Sequence, residues 1–124
     1  MAVMQSRDNR TFIAGEDLSA AQFKFVTLEA DGQVDLADAA GENAIGVCLA
    51  GAAAGNAVTV CVSGSVMVEA GGAITAGDQI QTGADGTALL AATGDVVLGY
   101  AREDGVDGQI IEIEMIQGGN VVPA

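Results

Sequence analysis

Ala57-Val58-Thr59-Val60-Cys61-Val62 and, 53 residues further on, Ile110-Ile111-Glu112-Ile113-Glu114-Met115-Ile116 put an apolar side chain at every second position. Successive side chains of a β-strand point to opposite faces, so a strict period of two marks a half-buried antiparallel strand. The two stretches also belong to a longer correspondence. Laying Ala44-Ile45-Gly46-Val47 over Val97-Leu98-Gly99-Tyr100 brings Gly55 onto Gly108. It also brings Val58, Val60 and Val62 onto Ile111, Ile113 and Met115. Upstream, with small gaps, Ala14-Gly15 through Leu18-Ser19-Ala20 resembles Ala70-Gly71 through Ile74-Thr75-Ala76, and Ala30-Asp31-Gly32 resembles Ala84-Asp85-Gly86. The chain reads as two tandem half-repeats, about 14–64 and 70–118.

Both halves follow one plan. A first short strand, Gln22–Leu28 or Gln79–Thr82, runs into an Asp-Gly turn suited to a tight hairpin. A second strand follows, Gln33–Ala37 or Thr87–Ala91, then the strand carrying Ile45-Gly46-Val47 or Leu98-Gly99-Tyr100, then the strongly alternating one. A further strand, Ser65–Glu69, bridges the halves. The Ala-rich pieces Ala50–Ala54 and Leu89–Ala92 are too short for helices. The expected fold is all-β: a small antiparallel barrel or sandwich of about eight to ten short strands. The expected organisation is an extended N-terminal arm over 1–20, one β domain over 21–118 and a C-terminal tail over 119–124. Met1–Thr11 has no period of two or of 3.6, which fits a terminus that is frayed or that orders on a partner.

Composition sets the chemistry. The 124 residues include 18 glycines, one proline, one tyrosine, three phenylalanines and no tryptophan. A domain of this length buries about two-thirds of its unfolded surface and needs no staple. The formal charge is −13. Nucleic-acid phosphates and anionic membranes are recognised by Lys and Arg, so neither is an expected partner. Arg7, Arg10 and Lys24 balance Asp8, Glu16 and Asp17, whereas everything from Val26 on holds a single cation, Arg102, against fourteen acids. Met1–Arg10 is polar with no apolar run behind it, so no secretory signal is read. No stretch reaches the ~18 apolar residues of a membrane span.

Catalytic residues are expected to be absent. Without histidine, neither a Ser-His-Asp nor a Cys-His arrangement forms within one chain. Cys48 and Cys61 stand in apolar runs and make no Cys-x-x-Cys pair, so they read as reduced core residues. No metal and no cofactor are expected. The carboxylates Glu103, Asp104, Glu112 and Glu114 read as a solvated face, since glycoside hydrolysis would want aromatic platforms beside a carboxyl pair. The loop Glu103–Gly108 lacks the order of a calcium loop, and its counterpart Ala50–Gly55 has no carboxylate at all.

The runs Ile45-Gly46-Val47, Ala54-Gly55-Asn56-Ala57-Val58-Thr59-Val60 and Gly64-Ser65-Val66, with Ala70-Gly71-Gly72-Ala73-Ile74-Thr75-Ala76-Gly77-Asp78, resemble the bacteriophage capsid decoration (cement, head-stabilising) proteins. That family carries similar "aGxxIxaGdxv", "DG" and "iGva…aGdxvtV" runs. The resemblance extends over roughly residues 14–116. Biotinyl-type domains share the glycine rhythm but present a lysine, and no lysine follows Val26. The resemblance implies a non-enzymatic virion protein, made in the host cytoplasm. It would bind the outer surface of the mature capsid, bridge major capsid protein subunits and stabilise the shell. It implies a homo-oligomer, a trimer ahead of a dimer. The contact residues expected on this basis are Arg7, Arg10, Phe12 and Ile13 in the arm, with Phe23, Lys24 and Phe25. The alternative is a surface- or glycan-binding module of a tail fibre or spike.

Overall fold

The alternation that begins at Ala57 carries on to Glu69, and this whole stretch is one strand. The computed structural model describes residues 5–116 and 122, with side chains from Asp8 onward. Nine strands are found among the described residues: β1 (Gln5–Ile13), β2 (Phe25–Leu28), β3 (Val34–Leu36), β4 (Gly46–Ala50), β5 (Ala57–Glu69), β6 (Gln79–Thr82), β7 (Ala88–Leu90), β8 (Gly99–Ala101) and β9 (Ile110–Met115). No helix occurs there. The protein is all-β, in one antiparallel, curled sheet of order β3-β2-β4-β5-β9-β8-β6-β7, with β1 added on β5.

β5 organises the molecule. Around residues 59–61 it is paired with β1 on one edge and β4 on the other. At Gly64 and Ser65 it is paired with β1 and with β9. A strand has only two edges, so β4 and β9 share one of them, end to end. From that shared edge the chain builds outward twice. β4 pairs with β2 and β2 with β3; β8 follows β9, then β6 and β7. Parallel bridges Ala14↔Val34 and Ala70↔Ala88 curl the outermost strands back toward the chain entering each half. The hydrogen bonds correspond as well. Gly15 N–H donates to Val34 C=O and Gly71 N–H to Ala88 C=O, each at 2.8 Å.

The glycine of each Ile-Gly-Val or Leu-Gly-Tyr element has a steric reason. A Cβ on Gly46 would overlap the Cys61 carbonyl, and one on Gly99 would overlap the Glu114 carbonyl. These are the crossing points of β4 on β5 and β8 on β9, where strands pass too closely for any side chain.

Two apolar clusters fill the interior. One gathers Val26, Val34, Cys48, Val58, Val60 and Val62 with Leu18 and neighbouring alanines. The other is larger and takes Phe25, Val47 and Cys61 together with Val66, Val68, Ile80, Leu98, Ile111 and Ile113. Alternation divides the strands between them. Phe25 and Val47 face one cluster, Val26 and Cys48 the other. β5 supplies Val58, Val60 and Val62 to the first cluster and Cys61, Val66 and Val68 to the second. The strand therefore threads both cores.

Cys48 and Cys61 are free and buried, and burial pushes both thiols up, toward the neutral form. Ser65–Glu69 is continuous with Ala57–Val62 rather than a separate strand. Residues 5–13, read as part of an arm, form β1 and pair with β5 of the same chain. Of the tail over 119–124 only Val122 is described: its N–H donates to Asp95 C=O and its C=O accepts from Gly94 N–H.

Candidate functional site

The residues expected to touch a partner fall into two groups. The first lies on β1. Arg10 is exposed, opposite Val60, and its guanidinium meets the Asp8 carboxylate at 3.0 Å. Phe12 sits opposite Val58 and packs partly buried against the smaller core cluster. Ile13, opposite Ala57, leaves 41% of its surface to solvent. The backbone of Arg7 is in β1, but its side chain lies outside the described residues. A strand in which Arg10 and Ile13 are exposed while Phe12 turns inward offers charge and apolar area on one short segment.

The second group enters β2. Phe23 is half-buried and Lys24 is half-buried beside it. Phe23 N–H donates to Cys48 C=O at 2.7 Å, and its C=O accepts from Glu69 N–H at 2.9 Å. The first group thus runs along one edge of the beginning of β5, while the second is tied both to β4 on the other edge and to the last residue of β5. Phe25 corrects the expectation. It is fully buried in the larger cluster, so its ring packs the interior and cannot reach a partner in the folded chain.

A feature not singled out in the sequence lies between Glu16 and the β2–β3 hairpin. Glu16, Glu29, Asp35, Asp38 and Glu42 line an open cleft of about 400 Å³, floored in part by Thr27 and Leu36. Most of these carboxylates are satisfied locally. Leu36 N–H donates to Glu16, Ala39 N–H to Glu42 and the Thr27 hydroxyl to Glu29, at 2.9, 2.7 and 3.0 Å. Asp35 Oδ1 is buried with no hydrogen-bond partner. Burial, followed by the charges of Glu16, Glu29, Asp31 and Asp38, raises the Asp35 carboxyl above the ordinary range. The available signal was the run of five acids and no cation between positions 29 and 42.

A second expectation also needs correction. Glu112 is not part of a solvated face: its side chain is 7% exposed and meets the Arg102 guanidinium at 3.0 Å, while Glu114 lies 3.7 Å from the same group. Among the described residues no three Cys, Asp or Glu side chains converge as metal ligands.

No curated protein matches the sequence. The solved N base of head fiber gp8.5 in bacteriophage phi29 is similar in fold, with a TM-score of 0.70 at 22% identity, covering 91% of this chain and 97% of that one. The sequence model of the phage cement proteins matches residues 4–114, from β1 to within a residue of the end of β9. The chain therefore belongs to the phage cement protein family and is a structural protein of the virion.

Proposed function

We propose that this protein binds the outer surface of the mature capsid and bridges major capsid protein subunits, acting by contact and not by catalysis. The observation that carries the reading is the family match over 4–114, which takes in the whole β body and begins at β1. The chemistry of the chain agrees. A sequence without histidine has lost the side chain most used for proton transfer near neutral pH. The contact surface includes the exposed part of β1, with Arg10 and Ile13 as its anchors and Arg7 beside them. Cations and apolar groups on a strand whose body is strongly acidic give the protein one side suited to binding and one suited to water. The protein assembles as a homo-oligomer, a trimer ahead of a dimer.

Cosedimentation with mature capsids tests this. Saturable binding by the wild type is expected. Arg10→Glu combined with Ile13→Asp, both at exposed positions, should weaken it at least tenfold while leaving the melting temperature within a few degrees. Binding to host cells or glycans, with none to capsids, would favour a fibre-like surface-binding module instead. The fold similarity to a head fiber base is what keeps that second reading in play.

The two halves are best understood as tandem copies of one unit. β1 through the first part of β5 forms one copy, and the second part of β5 through β9 the other. Registers support this: Ile13↔Ala57 and Phe12↔Val58 correspond to Glu69↔Ile110 and Val68↔Ile111. In this proposal β5 is the last strand of one copy fused to the first strand of the next, which accounts for its 13 residues.

A further inference from the structure

Phe23 is the one non-glycine residue of the described chain held at positive φ, at +63°. This is left-handed backbone, which crowds any Cβ and is especially unusual for a bulky side chain. The other half of the molecule contains the same backbone position. Gly77 N–H donates to Ala101 C=O at 2.8 Å, as Phe23 N–H donates to Cys48 C=O at 2.7 Å. Asp78 C=O accepts from Ala101 N–H, as Lys24 C=O accepts from Cys48 N–H, both at 2.9 Å. Gly77 has φ +91° and nothing near the place a Cβ would take. The fold can therefore make this turn with glycine, and does so once in this chain. Phenylalanine at the equivalent place is strained and needs a reason.

Core packing does not supply one. Phe23 belongs to neither apolar cluster and is not among the partly buried side chains that pack on them. Its ring is only partly buried, on a segment pinned at both its N–H and its C=O. The next residue, Lys24, makes no ion pair among the described residues, whereas Arg10 is paired with Asp8 and Arg102 with Glu112. Asp85 is the carboxylate whose titration Lys24 influences, and that group is held first by the Thr87 hydroxyl. A rigidly held aromatic ring next to an ammonium without a direct ion pair is the composition of a binding anchor.

We infer that Phe23 and Lys24 form a contact point for the shell, inserting the ring into an apolar hollow with a carboxylate at its rim. This rests on the capsid-binding reading and deepens it: the anchor is a strained residue kept for the partner rather than for the fold. It adds a second contact on the other side of β5 from β1, since Cys48, whose C=O accepts from Phe23 N–H, lies opposite Val60 on one edge of β5 as Arg10 does on the other.

The experiment is a pair of measurements on Phe23→Gly in the full chain: thermal melting, and binding to mature capsids by cosedimentation. Relief of the left-handed strain should leave the variant melting at or above the wild type, while capsid affinity falls at least tenfold. Lys24→Glu should weaken binding to a similar extent with no loss of stability. A Phe23→Gly variant that binds like the wild type overturns the inference, whatever its melting point. A variant that melts lower also overturns it, because the ring would then be a packing residue. If the wild type itself fails to bind capsids, the capsid-binding reading falls, and this inference with it.

Discussion

Asp35 and Glu112 are both acids in crowded places, and the structure treats them in opposite ways. Glu112 is met by Arg102 at 3.0 Å. Removing the guanidinium in Arg102→Ala would leave a nearly buried carboxylate alone, at a cost of about 1–3 kcal/mol, toward the low end because Arg102 is itself 41% exposed. In the tandem arrangement proposed above, Thr59 takes the corresponding place on β5, with Met67↔Glu112 matching Thr11↔Thr59 in register. Adding Glu112→Thr to Arg102→Ala should therefore recover most of the lost stability in a melting experiment. Asp35 has no such partner, and its carboxyl is raised by burial and by neighbouring acids. The folded chain then holds that proton more tightly than the unfolded chain. Asp35 costs stability at neutral pH, and the cost disappears as pH falls below the ordinary carboxylate range. Asp35→Asn should melt higher than the wild type at neutral pH, with the gain shrinking to nothing in acid; a gain that persists unchanged in acid would contradict this. Neither role was legible beforehand. Alternation places Glu112 on the opposite face from Ile111 and Ile113, but only the path of Arg102 reveals that this face is covered. The acids at 29–42 come together because the β2–β3 hairpin folds back toward Glu16, a contact no local pattern encodes.

The strands that could be read were those whose sequence alternates apolar with polar side chains, although Gln81 and Glu112, on the polar face of β6 and β9, are buried too. Gln79–Thr82 has the bounds expected, and Ile110–Met115 nearly so. β1 could not be read, because Asn9, Arg10, Thr11 and Ile13 are all exposed and only Phe12 turns inward, so no period of two develops. Its structure comes instead from the edge of β5. Removing residues 1–13 would take away Phe12 and the strand covering positions 57–65 of β5. The truncated chain should melt far below the full-length protein or fail to fold; a melting curve matching the full length would show that β1 contributes nothing to the body. For that reason point substitutions on β1, and not its deletion, are the sound probe of capsid contact. The glycine elements were visible as a repeated motif, and their cause is the close crossing of strands. Gly99→Ala would drive a methyl group into the Glu114 carbonyl. It should destabilise the second half by about 1–3 kcal/mol, as overpacking does, measured by denaturant unfolding.

At the scale of the whole molecule, the sequence made the class legible: all-β, strongly acidic and without histidine. It did not make legible how the two sets of strands share β5, because strand order is set by edges and registers that composition does not record. With a charge of −13, free copies repel one another, and binding to a shell must overcome that repulsion locally. Sedimentation at increasing salt should accordingly favour self-association of the free protein; a state unchanged by salt would argue that charge does not govern it. The central claim is that the protein holds capsid subunits together. The most direct measurement is heat-induced genome release from mature particles stripped of this protein, with purified protein added back. The account predicts that release shifts to higher temperature and saturates when the binding sites are filled. Saturated binding with release at the same temperature as bare particles would contradict it.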